Sequence, residues 1–163
     1  RDGGVRHHSR SHLGVALARG HGLRQLSPGR SVITEDELDA RFGARALLAS
    51  GGDYGLNVVV FEGDRSGNIA LHDDEVRSLC AGTGDVGTIV FAGNLTSTGH
   101  LCVSDRLMCL IVTGDVRCER LSLFETEMLV MGSLTTKALN DRDEYLKVIG
   151  TRTIERVVRP GED

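Results

Sequence analysis

The sequence predicts a mainly β fold: a single-stranded β-solenoid (β-helix) of about five short coils with an N-terminal capping helix. Three observations predict it. Gly63, Gly93, Gly114, Gly132 and Gly150 recur at intervals of 30, 21, 18 and 18 residues, and a fixed period near twenty signals stacked repeats. Each glycine follows a run with apolar residues at every second position, as in Ile89-Val90-Phe91-Ala92 and Leu110-Ile111-Val112-Thr113. Ahead of the repeats, Thr34-Glu35-Asp36-Glu37 has the form of a capping box, with Thr at the N-cap and Glu at N3.

Residues 1–30 hold six arginines, four of the six histidines and one acid, Asp2, for a charge of about +5, which leaves about −9 on residues 31–163. This first segment is rich in Gly and Ser and lacks apolar periodicity. It is expected to be a disordered basic leader, and the start at Arg1 rather than Met is what a fragment or processed product would show. Nucleic acid is expected to bind only through these basic residues 1–30. The capping box, with Leu38, Phe42, Ala46 and Leu47 at helical spacing, predicts a helix over 34–49. With the glycine-rich connection to residue 56, segment 31–56 is expected to cover an open end of the solenoid.

The solenoid is predicted over 57–159, with a tail at 160–163. Every second position supplies the inward slots: Val59 and Phe61, then Ile69 and Leu71, in the first coil; Ile89, Phe91, Leu95, Ser97, Leu101 and Val103 in the second. The third offers Leu110, Val112, Val116, Cys118, Leu121 and Leu123. The switch of parity between Cys118 and Leu121 marks a corner. The fourth coil aligns Met128, Val130, Leu134, Thr136 and Leu139, and the fifth Leu146, Val148, Ile154 and Val157. Stacked glycines suit corners, where a positive φ or a close backbone approach is needed. Arg65 and Arg152 occupy inward slots and are expected to reach solvent at the ends. Residues 72–87 are expected to form a loop leaving the solenoid. An α/β fold would need helical patterns between the strands, and none is present.

Composition narrows the function classes. The chain of 163 residues suits one ordinary domain. Aromatics at 4% without Trp require an aliphatic core. No apolar run reaches the length of a membrane span. Four cysteines without a C-x-x-C make neither a disulfide scaffold nor a zinc site, and reduced thiols point to a cytoplasmic protein.

The phrases Ile89-Val90-Phe91-Ala92-Gly93-Asn94-Leu95 and Leu110-Ile111-Val112-Thr113-Gly114-Asp115-Val116 resemble the V-x-G-D-L coils of bacterial β-solenoid proteins. The resemblance spans roughly residues 57–155, and Gly84-Asp85-Val86-Gly87 leads into it similarly. It implies a scaffold or binding role, as in polymer-forming scaffolds and proteins of toxin or defence loci, and implies no catalytic residues.

Candidate chemistry is sparse. His72, Asp73, Asp74 and Glu75 form the densest acidic cluster and are the candidates for a divalent metal or acid–base site, against the plainer reading of a solvated loop. His100, beside Gly99 at a corner, is the candidate general base, although spacing pairs it with no supported nucleophile. Gly82-Thr83-Gly84-Asp85-Val86-Gly87 matches G-x-G-x-x-G but precedes a strand rather than a helix, which argues against a dinucleotide site. No cofactor is expected. The leading expectation is a non-enzymatic scaffold or protein-interaction module. It would associate with itself or with a basic protein through the faces or ends of the solenoid. The runner-up is a hexapeptide-repeat acyltransferase using acyl-CoA with His100 as base, suggested by eighteen-residue coils but without a sustained [Leu/Ile/Val]-Gly-x4 pattern. Ice or carbohydrate binding would want unbroken ranks of threonine or aromatics; Thr96/Thr98 and Thr151/Thr153 do not make one, and there are only two tyrosines.

Overall fold

A computed structural model describes residues 29–141 and 145–159, so the leader up to residue 28 and the tail at 160–163 lie outside the described residues. The apolar runs become strands on two stacked, mostly parallel sheets. The first sheet takes the segment before each coil glycine: β2 (Asn57–Glu62), β4 (Val86–Ala92), β7 (Cys109–Val112), β9 (Glu127–Val130) and β11 (Leu146–Val148), in that order and parallel. The second takes the segment after it. Here β3 (Arg65–Gly67), β5 (Leu95–Ser97), β8 (Val116–Leu123), β10 (Leu134–Asp141) and β12 (Arg152–Val157) follow one another, with β6 (His100–Val103) also beside β8.

The register is the one the slots require. Ile89 sits beside Leu110, Leu110 beside Met128 and Met128 beside Leu146. On the second sheet Leu101, Leu121, Leu139 and Val157 form another rank, as do Cys118, Thr136 and Ile154. Phe61 and Phe91 stack with ring centroids 5.6 Å apart. Apart from exposed Val157, these side chains fill one continuous interior, and burying each large one is worth about 2 kcal/mol in water-exclusion terms.

The fold is a β-solenoid of about three turns rather than five coils. Only β4–β6, β7–β8 and β9–β10 run the full circuit. The first rung has just three residues, Arg65–Gly67, in its second strand before the chain leaves for a helix. The last described rung, β11–β12, gives one strand to each sheet without closing a further turn.

The coil glycines are selected for space more than for dihedral freedom. A Cβ on Gly93 would lie 2.6 Å from the Gly63 carbonyl carbon, and one on Gly114, Gly132 or Gly150 would lie 2.5 to 2.6 Å from the carbonyl oxygen of the glycine below. Of the five, only Gly63 has a positive φ, at 88°. Beside the glycines a ladder of side chains climbs the corner. Asp64 accepts from the Asn94 amide at 2.8 Å, Asn94 from that of Asp115 at 2.8 Å, Asp115 from that of Ser133 at 2.8 Å, and Ser133 from that of Thr151 at 3.0 Å.

The N-terminal helix is shorter than predicted and is not an end cap. α1 (Glu35–Phe42) starts as expected, Thr34 accepting from the Glu37 amide at 3.1 Å. It stops because Gly43 takes the left-handed conformation and closes onto the Asp39 carbonyl. Leu38, Ala44 and Leu48 pack on the outer face of the first sheet, against Val58, Val60, Val90, Cys109, Ile111 and Leu129. That sheet is therefore buried on both faces, which is why its strands are continuously apolar.

The first edge of the sheet carries β1 (Arg30–Ile33), antiparallel to β2. Arg30, assigned from sequence to the basic leader, is thus part of the fold. Its guanidinium donates to the carbonyls of Leu79 and Ala81 at 3.1 and 2.9 Å, at the end of α2 (Asp73–Leu79). α2 replaces much of the loop expected over 72–87 and sends Val76 into the interior; residues 86 and 87 already belong to β4. Arg65 lies over the rings of Phe61 and Phe91 at 4.4 and 5.7 Å, and burial lowers its pKa. Among the described residues no helix is long and apolar enough to cross a membrane.

Candidate functional site

The acidic cluster is committed to holding its own turn. His72 is the N-cap of α2, and Glu75 accepts from the amides of Ala70 and Leu71 at 3.0 and 2.6 Å. Asp73 accepts from the Ser104 hydroxyl and lies 3.4 Å from Arg106, while Asp74 lies 3.9 Å from Arg77. The Ser104 hydroxyl, with help from Arg106, holds the Asp73 carboxyl below its ordinary range. The three carboxylates turn to separate partners, and among the described residues no three His, Cys, Asp or Glu groups converge as metal ligands. The same segment borders an open cleft of about 420 Å³ formed by Leu56, Val76, Arg77, Cys80, Arg106 and Leu107 with the Gly84–Val86 turn. His100 lies outside that cleft.

His100 does have a hydroxyl partner that spacing alone did not reveal. Its Nε2 is 2.7 Å from the Ser122 hydroxyl. The bond links adjacent strands β6 and β8, and Ser122 is itself flanked by Cys102 and Asn140 in register. Burial, then the positive Arg120 and the neighbouring His72, hold the His100 ring below its usual pKa. As a Ser–His pair the arrangement is incomplete. Among the described residues no carboxylate orients the ring, and Ser122 is 2% exposed, so a substrate carbonyl has no approach to its oxygen. The thiols are poor nucleophiles as well: burial raises the pKa of Cys80, Cys102, Cys109 and Cys118.

A better-formed binding feature is built by the segment after α1. The segment after α1 is pinned by two carboxylates. Glu35 accepts from the amides of Tyr54 and Gly55, both at 2.8 Å. Glu127, at the start of β9, accepts from the Ala49 amide and the Ser50 hydroxyl, both at 2.6 Å. The Tyr54 hydroxyl donates to Ser50 at 2.6 Å, and burial raises the Tyr54 pKa. Between this segment and the solenoid opens a cleft of about 360 Å³ lined by Ser50, Tyr54, Met108, Glu125, Glu127 and Tyr145. It adjoins a second of about 400 Å³, with which it shares Ala49, Glu127 and Tyr145. Both tyrosines of the chain therefore line one cleft. Met108 and Tyr145 are among the large apolar side chains left exposed, and Glu125 holds a positive φ of 55°. Nothing in their spacing announced this, since Tyr54 and Tyr145 are brought together only by the segment folding back over the first sheet.

The architecture places the chain in the class of β-solenoid proteins. No protein-family model, curated protein or solved structure matches it.

Proposed function

We propose that the protein is a non-enzymatic β-solenoid scaffold and protein-interaction module that receives a basic partner in the Tyr54–Tyr145 cleft. One observation carries the reading: two aromatic rings, an exposed methionine and the exposed carboxylate of Glu125 share a single opening. An arginine or lysine side chain meets aromatic faces and carboxylates favourably at once. The negative balance of residues 31–163 would steer such a partner toward the cleft. Isothermal titration with a short arginine-rich peptide tests it. Binding should weaken with salt, and Tyr145→Ala and Glu125→Gln should each reduce affinity about tenfold. Affinity unchanged from that of the original chain in both variants would remove the cleft from the proposal.

The second reading, acyl transfer from acyl-CoA with His100 as base, draws on the His100–Ser122 hydrogen bond. It is the weaker one, because His100 lines none of the three clefts and the coil closes on two sheets rather than three hexapeptide faces.

A further inference from the structure

The two ends of the solenoid are finished differently. At the first end the interior is sealed: Val59, Phe61 and Leu71 are at most 1% exposed, Val76 of α2 packs among them, and Arg65 covers the rings. The antiparallel β1 occupies the edge of the first sheet there. At the last end one interior rank stops in the open. Val157, in register with buried Leu139, is 59% exposed. Among the described residues β12 has a strand neighbour on one side only, so its outer edge is free for pairing.

Charge says what fits that edge. On the second sheet Glu119 and Lys137 lie one above the other, Nζ to carboxylate 2.8 Å, and Glu155 of β12 adds an acid beside Lys137. The alternating column thus ends on an acid that lacks a base above it. β12 itself reads Arg152-Thr153-Ile154-Glu155-Arg156-Val157. Run antiparallel to a copy of itself about an axis between Glu155 and Arg156, it sets each Glu155 against the other copy's Arg156. The same register sets each Ile154 against the other Val157. The outermost like-charged pair, Arg152 with Arg159, falls at the rim, where Arg152 is turned back onto the Leu146 carbonyl at 2.7 Å.

We propose that the last rung is a self-recognition surface, through which two copies of the chain join tail to tail by antiparallel β12 pairing. The contact is isologous and so closes at a dimer; at the opposite end the second sheet offers only the three-residue β3 as an edge, too short to template a partner's β12. This rests on the interaction-module reading and names one of its partners.

Sedimentation velocity of the full chain over a range of concentrations tests it. The expected result is a monomer–dimer equilibrium with nothing larger. Glu155→Arg and Arg156→Glu should each weaken the dimer about tenfold, and the double exchange should restore it, with circular dichroism unchanged throughout. A chain monomeric at every concentration, growth beyond dimers, or a double exchange as weak as the singles would each overturn the proposal. A monomeric chain that still binds the arginine-rich peptide would sink the dimer alone. Dimers without peptide binding would sink the cleft alone.

Discussion

Individual residues in this protein are constrained mostly by what lies one coil above or below. Gly114 is the clearest case, because a methyl group there would collide with the carbonyl of Gly93 and the side chain of Asn94. Gly114→Ala should therefore destabilise the fold by about 3 kcal/mol, read as a lower urea midpoint, whereas a change at Gly82, with open space around its missing Cβ, carries no such collision. His100 is constrained by charge. Its ring titrates lower in the folded protein than in the unfolded chain, so the folded state resists protonation. Stability from this group is fully present above about pH 6.5. It falls as the pH drops from there toward the lower folded value. His100→Gln should flatten that part of the stability–pH curve, and the His100 ring should titrate below the ordinary range in NMR.

At the scale of elements, α1 acts as a cover for a sheet. Leu38, 2% exposed, is its main contact with that sheet. Leu38→Ala should cost about 3 kcal/mol in chemical denaturation and expose the outer valines of β2 and β4. How much of this was legible is instructive. The inward slots follow from period-two patterning, and every rank predicted from Leu110 or Cys118 onward has its predicted neighbours. The outer face carried a signal as well, in the apolar residues Val58, Val60, Val90, Ile111 and Leu129 between the slots, but segment 31–56 was assigned to an open end instead. A sheet wetted on one face would have polar residues there, so these positions already required a cover. Lys147, at the equivalent place in β11, marks where the need for that cover ends. What remained hidden was tertiary. α2 is too short to show a period. The Glu127 grip on Ala49 and Ser50 spans nearly half the chain, and the meeting of Tyr54 with Tyr145 depends on it.

The whole molecule is a stack with two unlike ends, and its functional readings divide along that line. The side carries the tyrosine cleft and the last rung carries the free edge, so an arginine-rich partner and a second copy could be held together without competing for the same surface, except where Tyr145 borders both. The corner ladder from Asp64 to Thr151 has a bearing on this arrangement. Each side chain of the ladder grips the backbone of the rung that follows it, so the ladder ties every layer to the one beneath. Loosening should begin at the β11–β12 layer, which is held from one side only, and travel backward, which makes the part of the molecule offered for docking also the part most ready to adjust its shape on contact.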